Sequence, residues 1–566
     1  MTSSSGASTN QRTGGQVLVD QLRIHGADLA FCVPGESYLG ALDALHDARD
    51  AIRLVTTRNE IGASNMAEAY GKITGRPGIC FVTRGPGASH AMVGLHTALQ
   101  DSTPLILFVG QVAREMKERE AFQEIDVKGM FGHTTKWAAE IDDARRIPEM
   151  VSHAFHVATS GRPGPVALTL PEDMLLDRVG VADAARYQIV RPSPSAAGMA
   201  RLRELLAAAK RPLMLVGGGG WSSEAVADLR AFAEANNLPV CASFRCQDLF
   251  DNFHRNYIGD CSLGIMPALA ERVRTTDLLL VVGARLGELT TQGYTLVEPP
   301  VPAQPLVHVH PDPDELGRVY QGKLLINSGM AEFTAAAKAL PPVDHAAWDG
   351  WAAEARRDYE ASLEPGPCPG ALDLGKVIRA INARVRPENT IVTSDAGNFA
   401  GWVNRFYQVS TFRSFVGPTS GAMGYGVPSA VAAKLTCPEK TVISFAGDGG
   451  FLMSGQELAT AAQYGANVIF VVVNNGLYGT IRMHQEREYP GRTPATDLRN
   501  PDFAAYARAF GCHGETVTRT EDFAAAFDRA LSAGTPALLE LRIDPEAITM
   551  RTTLTKIREA ALAKRG

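Results

Sequence analysis

The sequence predicts an α/β protein of three domains, each a mostly parallel sheet covered by helices. Its 566 residues are too many for one hydrophobic core. Short apolar, β-branched runs alternate with helical patterns at the spacing of βαβ units. The first and last thirds also share a strand, glycine turn and helix plan, seen in Phe81-Val-Thr-Arg-Gly-Pro-Gly87 and Phe445-Ala-Gly-Asp-Gly-Gly450.

The first domain is expected over 14–185. Val17 to His25 predicts a helix, Leu29 to Val33 a strand, and Pro34-Gly35-Glu36-Ser37 a turn into the helix Leu39 to Asp47. Ile52 to Thr56 predicts a strand and Ile61 to Thr74 a helix. Gly78 to Thr83 is the next strand, Gly85-Pro86-Gly87 turns into the helix Ala91 to Gln100, and Leu105 to Val109 follows as a strand. A last strand follows Gly161-Arg-Pro-Gly-Pro-Val166. Arg191-Pro-Ser-Pro-Ser-Ala-Ala197 then predicts a linker.

A middle domain is expected over 198–340, with strands at Pro212 to Gly217, Asp277 to Gly283 and Leu306 to His310. Pro341-Pro342 and Pro365-Gly-Pro-Cys-Pro-Gly370 bracket the second connection. The third domain is expected over 371–548, and Leu554 to Lys564 predicts a charged helical tail without an assigned role.

Composition narrows the function classes. Hydrophobic content of 45% with 20% charged residues is ordinary for a globular protein, and a net charge of −6 speaks against nucleic acid or an anionic membrane as partner. The eight cysteines form no Cys-x-x-Cys pair, so Cys241, Cys246 and Cys261 are expected as buried free thiols of a cytosolic protein. The first dozen residues, rich in Ser, Thr and Gly, are expected to be a disordered leader. No apolar run is long enough to cross a bilayer, so a cytoplasmic location is expected.

The chemistry gathers in the last third. Val442 to Phe445 predicts a buried strand, Gly447, Asp448, Gly449 and Gly450 a turn, Ser454 to Tyr464 a helix, and Val468 to Val473 a second buried strand. Parallel strands deliver their C-terminal ends to one edge, so Asp448 and Asn475 are expected to meet. A carboxylate and an amide oxygen are hard ligands suited to a Mg²⁺ that stays bound to a phosphate, and the glycines let backbone N–H groups approach that phosphate.

Gly447-Asp448-Gly449, a helix, and Asn474-Asn475 resemble the diphosphate-binding motif of thiamine-diphosphate enzymes. From about Gly14 to Ile548 the chain is similar to the acetolactate synthase-like branch of that family, which is related to pyruvate oxidase and pyruvate decarboxylase. The resemblance implies pyrimidine-binding, middle and diphosphate-binding domains in that order, with thiamine diphosphate and Mg²⁺ as cofactors. It further implies Asp448, Asn475 and the carbonyl of Leu477 as metal ligands. Glu60, in Thr57-Arg-Asn-Glu60, matches the glutamate that hydrogen-bonds the aminopyrimidine and promotes proton loss from the thiazolium. Thr419-Ser-Gly-Ala-Met-Gly-Tyr-Gly426 resembles the segment around the aminothiazolium, with Gly421 in it and Met423 matching the apolar residue under the cofactor. Gly397, Asn398 and Phe399 would lie beside the diphosphate. Because Glu60 and Asp448 fall in different domains, the family pattern implies a homodimer or homotetramer with active sites at the subunit interface.

Two further residues bear on the reaction. Glu36, in Val33-Pro-Gly-Glu-Ser37, stands where the resembled synthases usually have Gly, and an acid there favours aldehyde release. Gln123, in Ala121-Phe122-Gln123-Glu124, matches the synthase segment that shapes the substrate site, and the His-His pair of pyruvate decarboxylases is missing. The resemblance therefore implies a 2-oxo acid decarboxylating carboligase of acetolactate synthase type. The alternative is a non-oxidative decarboxylase of the benzoylformate or indolepyruvate type that releases an aldehyde. His90 and His484 are possible acids or bases left outside the expected site. FAD in the middle domain stays open: Gly217-Gly-Gly-Gly220 lacks the full dinucleotide spacing, and Gly283-Ala-Arg-Leu-Gly-Glu-Leu289 keeps only the first arginine of the synthases' FAD segment.

Overall fold

A computed structural model describes residues 11–565, so most of the expected leader lies outside the described residues. Its last residues do not match the expectation. Arg12 and Thr13 pair antiparallel with Arg178 and Val179, and Arg12 donates to Asp20 at 2.7 Å. The chain divides into two compact units, one ending at Val190 and the other starting at Arg191. No helix among the described residues is long and apolar enough to cross a membrane.

The first unit is built on one six-stranded sheet. Its strands are β1 (Leu29–Cys32), β2 (Arg53–Thr56), β3 (Gly78–Val82), β4 (Leu105–Gln111), β5 (Trp137–Glu140) and β6 (Pro165–Pro171). All pairings are parallel and the spatial order is β2-β1-β3-β4-β6-β5. Helix α1 (Gly14–His25) is opened by a capping box in which Thr13 and Gln16 exchange hydrogen bonds. Helices α2 (Leu39–Asp47), α3 (Glu60–Thr74) and α4 (Gly85–Asp101) follow β1, β2 and β3 in turn. Ala30, Phe81, Ile106, Phe108 and Leu168 from the strands meet Leu18, Leu22 and Phe155 from the helices in one core. Each such leucine, isoleucine or phenylalanine side chain taken from water stabilises the fold by roughly 1.5–3 kcal/mol.

The second unit holds two more six-stranded parallel sheets. The first consists of β7 (Pro212–Val216), β8 (Val240–Ser243), β9 (Tyr257–Cys261), β10 (Leu278–Val282), β11 (Leu306–His310) and β12 (Leu324–Asn327). Its order is β9-β8-β7-β10-β11-β12, the doubly wound order of dinucleotide folds, which reverses direction between β7 and β10. The glycine run after β7 lies at that reversal. A Cβ on Gly218 would lie 2.0 Å from the carbonyl oxygen of Gly283, and Trp221 Nε1–H donates to the Gly217 carbonyl at 2.9 Å. Close approach of the Gly283 backbone thus accounts for Gly218, and the Ser243 side chain, 2.0 Å from where a Cβ would sit, accounts for Gly217.

The last sheet contains β13 (Thr390–Ser394), β14 (Phe415–Val416), β15 (Thr441–Gly447), β16 (Ile469–Asn474), β17 (His513–Val517) and β18 (Ala537–Arg542). Its order, β14-β13-β15-β16-β18-β17, repeats that of the first unit strand for strand. Helices α5 (Gly426–Thr436), α6 (Asp448–Ser454), α7 (Leu458–Tyr464) and α8 (Gly479–Glu488) cover it, and α9 (Leu554–Ala563) is the expected tail. Val392, Ile443, Phe445, Val471 and Leu539 are its buried apolar centre. The two sheets of this unit are tied by Asp248, whose carboxylate accepts the N–H groups of Ser414 (3.2 Å) and Phe415 (3.5 Å).

One expectation fails next to the key motif. Gly449 and Gly450 are not a loop ahead of a helix at Ser454; they lie in the first turn of α6, which starts at Asp448. Glycine has poor helix propensity, but here packing decides. A Cβ on Gly449 would lie 2.6 Å from the Tyr478 ring, and one on Gly450 would lie 2.6 Å from Asp395 Oδ2.

Candidate active site

In the last sheet the strand order reverses between β13 and β15, and ligands of open parallel sheets bind at such a reversal, beyond the C-terminal strand ends. Gly447, the last residue of β15, is in register with Val473 of β16, so Asp448 and Asn475 leave neighbouring strand ends on one edge. A cavity of about 250 Å³ opens there. Gly397, Asn398, Phe399, Gly421, Met423, Gly447, Asp448, Gly449, Gly450, Asn475 and Leu477 all line it, so residues spread over eighty positions of sequence come together.

Asp448 is 3% exposed and heavily hydrogen-bonded. Its Oδ2 accepts the N–H of Gly476 at 2.9 Å and the side-chain amide of Asn500 at 2.8 Å; Oδ1 accepts the N–H of Gly449 at 3.0 Å. Burial raises the pKa of this carboxyl, and the hydrogen bonds, that of Asn500 first, oppose the rise. Asn475 Oδ1 accepts the N–H of Leu477 at 3.1 Å, which folds the chain back towards the cavity. Asn398 is held from both sides: Thr480 donates to its Oδ1 at 3.0 Å and its amide donates to the Ile548 carbonyl at 3.1 Å.

The donor set fits a cation carried by a diphosphate. Oδ1 of Asp448, the Asn475 amide oxygen and a carbonyl at Leu477 are hard oxygens, too few to encage a metal without oxygens from a ligand. Among the described residues no group of three or more His, Cys, Asp or Glu side chains could hold a metal.

Several residues of this site were not anticipated. Asp395, at the end of β13, is fully buried and accepts the N–H groups of Ala396 (2.7 Å), Gly424 (3.0 Å) and Tyr425 (3.3 Å). It thereby anchors the turn that carries Gly421 and Met423. Burial pushes its pKa up to about 6. Arg245, buried at the end of β8, donates to the carbonyls of Asp395 (2.8 Å) and Pro418 (3.0 Å) and holds the same turn from the other side. Asn500 and Tyr478 were also missed. Only the strand-end position of Asp395 carried a signal; Asn500 sits in a polar stretch with none.

The other three expected residues belong to the first unit. Glu36, Glu60 and Gln123 follow β1, β2 and β4, all at the C-terminal edge of that parallel sheet. Glu60 opens α3 behind the N-cap Asn59, and its Oε2 lies 2.9 Å from His90 Nδ1. Glu36 is largely exposed, 3.9 Å from Arg84, a separation that contributes little. The backbone of Gln123 takes a left-handed conformation (φ 61°), and its carbonyl accepts the N–H of Gly85 at 2.9 Å, seating the 121–125 segment beside the glycine turn.

Three parallel sheets, two of identical order with glycine-lined strand ends, define a protein that binds a phosphate-bearing cofactor. Three family models match the chain in sequence order: the thiamine pyrophosphate enzyme N-terminal TPP binding domain over 12–130, the central domain over 199–337 and the C-terminal TPP binding domain over 395–541. The chain belongs to the thiamine pyrophosphate enzymes. It is 31% identical to a probable acetolactate synthase large subunit of Methanocaldococcus jannaschii, covering 95% of this chain and 93% of that protein. It is 30% identical to the acetolactate synthase isozyme 2 large subunit of Escherichia coli, covering 94% and 95%, and 32% identical to an acetolactate synthase large subunit of Parasynechococcus marenigrum, covering 94% and 87%.

Proposed function

We infer that this enzyme is a thiamine-diphosphate- and Mg²⁺-dependent carboligase. It decarboxylates a 2-oxo acid and joins the remainder to a second carbonyl compound, giving an acetolactate-type hydroxyketone. The carrying observation is the single cavity lined by Asp448, Asn475, Leu477 and the glycines of β15 and α6. The names of the similar proteins support carboligation over other reactions of the family.

When bound, the cofactor supplies a carbon nucleophile and an electron sink for decarboxylation. Asp448, Asn475 and the Leu477 carbonyl would hold the metal that accompanies the diphosphate. Backbone N–H groups in the first turn of α6, beyond that of Gly449, would take phosphate oxygens, and Met423 would support the ring system. Glu60 presents its carboxyl to the aminopyrimidine. Its assignment to a second copy's cofactor, in a homodimer or homotetramer, rests on the resemblance. Gln123 shapes the substrate side and Glu36 governs the product's fate. Cys241 and Cys261 are buried as expected and Cys246 is only partly so; thiols left free suit a cytoplasmic setting. FAD in the middle domain stays an open part of this reading, and we assign no step to it; the close contacts at Gly217 and Gly218 account for those two glycines without a flavin.

The test is product analysis with thiamine diphosphate and Mg²⁺ over pyruvate, branched and aryl 2-oxo acids. A hydroxyketone product supports the reading. Aldehyde alone transfers the assignment to the non-oxidative decarboxylases, as the acid at position 36 would favour. No consumption of any 2-oxo acid overturns both.

A further inference from the structure

We propose that His90 is a positioning residue for Glu60: its Nδ1–H occupies Oε2 of the carboxyl, so that Oε1 alone is presented to a ligand. The proposal rests on the assignment of Glu60 to the cofactor's aminopyrimidine.

The geometry is set by two helices. Glu60 opens α3, and His90 lies in the second turn of α4, which packs along it. The Nδ1–Oε2 distance is 2.9 Å. The Glu60 side chain is only 13% exposed while the imidazole is 55% exposed, so the histidine reaches inward from a half-open position to a carboxyl that has lost most of its water. Such a carboxyl needs a donor on each lone pair it keeps. The other oxygen, Oε1, lies beside Gly87, which has no side chain to cover it. Tyr38, from the turn after β1, and Cys80, from β3, are the other titratable groups set against Glu60, and both are buried. Neither is charged at neutral pH, since burial raises both pKa values above their ordinary ones.

A carboxyl that must offer one defined oxygen gains from having the other pinned, because a free rotor spreads its population over geometries that do not react. Histidine performs this only as an Nδ1–H donor. An asparagine at 90 can place an N–H near the same point, alanine cannot, and aspartate puts an acceptor and a charge against Oε2.

The experiment compares the wild-type holoenzyme with His90→Asn, His90→Ala, His90→Asp and Glu60→Gln. It measures kcat and KM for a 2-oxo acid that the wild type consumes, and thiamine diphosphate affinity of dialysed protein by tryptophan fluorescence quenching in Mg²⁺. The expected result for His90→Ala is a kcat about tenfold lower with KM within about twofold, the size of one lost hydrogen bond to a charged group. His90→Asn should return to within about threefold of wild type, and His90→Asp should fall below the alanine variant in kcat and in cofactor affinity. Wild-type kcat in His90→Ala, or an asparagine variant as slow as the alanine one, overturns the proposal. Full activity in Glu60→Gln overturns the assignment of Glu60 itself; an inactive Glu60→Gln beside an unimpaired His90→Ala overturns the role of His90 alone.

Discussion

The side-chain amide of Asn500 donates one hydrogen to Asp448 Oδ2, at 2.8 Å, and the other to Asn474 Oδ1, at 3.0 Å. Asn474 in turn donates to Glu540 Oε1 at 2.7 Å, and that carboxylate is fully buried and further held by Thr516. A continuous polar chain therefore runs from the interior of β18 to the proposed metal ligand. With Oδ2 of Asp448 engaged by Asn500 and by Gly476, Oδ1 is the oxygen left with a lone pair to spare.

The first prediction concerns that amide. Asn500→Ala should weaken Mg²⁺ binding in the presence of thiamine diphosphate about tenfold, since a charge-assisted hydrogen bond of about 1.5 kcal/mol is lost. It should also raise the Asp448 pKa further, because Asn500 leads the hydrogen bonds opposing the burial effect. A metal binds the carboxylate form, so the acid-side loss of affinity should move to higher pH. Titration calorimetry at several pH values reads both effects; unchanged affinity would show that Asn500 does not position Asp448.

The second prediction tests the packing that turns two glycines helical. In Gly450→Ala the new methyl would lie 2.6 Å from Asp395 Oδ2, so the carboxylate must move and release Gly424 and Tyr425. Overpacking a buried site costs about 1–3 kcal/mol. The variant should melt at lower temperature and bind thiamine diphosphate more weakly, because the turn carrying Met423 loses its anchor. A melting temperature equal to wild type would contradict the close approach.

These two cases mark what the sequence could and could not show. Strands β1, β3, β15 and β16 were readable because each is a short β-branched or aromatic run closed by turn residues. β9 was not, since Tyr257-Ile-Gly-Asp-Cys261 carries a glycine and an aspartate that only burial beside β8 explains. The start of α6 at Asp448 was hidden because two glycines argue locally against a helix, and the opposing argument lies in Tyr478 and Asp395, far along the chain. Asp448 and Asn475 could be paired from the sequence because one βαβ unit joins them. Asn500 could not, since no periodicity connects it to either.

The third prediction follows from Asp248, whose pKa burial pushes up to about 6. An acid with a raised folded-state pKa keeps its proton longer in the folded than in the unfolded chain. Its contribution is full below the ordinary carboxylate range, near 4, and disappears as pH rises through about 6. A shift of about two units corresponds to about 3 kcal/mol at most. Asp248→Asn has no such titration. The stability advantage of wild type over this variant, measured by urea unfolding, should shrink between pH 4.5 and pH 7.5. An advantage constant across that range would contradict the raised pKa of Asp248.

The fourth prediction concerns α9, which the sequence left without a role. Glu486 on α8 is fully buried, yet its carboxylate is paired with the Arg558 guanidinium of α9 and accepts the N–H of Gly491 at 2.9 Å. Around this pair Leu554 of α9 packs with Met483 of α8 and Ile548, against Leu477 at the cavity wall. Tyr478, Gly479, Thr480 and Ile481, at the start of α8, line the cavity, so α9 braces one of its walls from behind. Removing Arg558 leaves a buried carboxylate with one charge-neutralising contact gone. Because the guanidinium is 42% exposed, the cost is expected near 1–2 kcal/mol rather than that of a wholly buried pair. Arg558→Ala should therefore raise hydrogen exchange over 479–488 and weaken thiamine diphosphate binding, while the sheet core keeps its protection. The pH dependence should run opposite to that of Asp248. Arg558 lowers the Glu486 pKa, so the pair's contribution is present at neutral pH and lost as the solution is acidified through that lowered value. If exchange over 479–488 is unchanged in the variant, α9 packs on the cavity wall without supporting it.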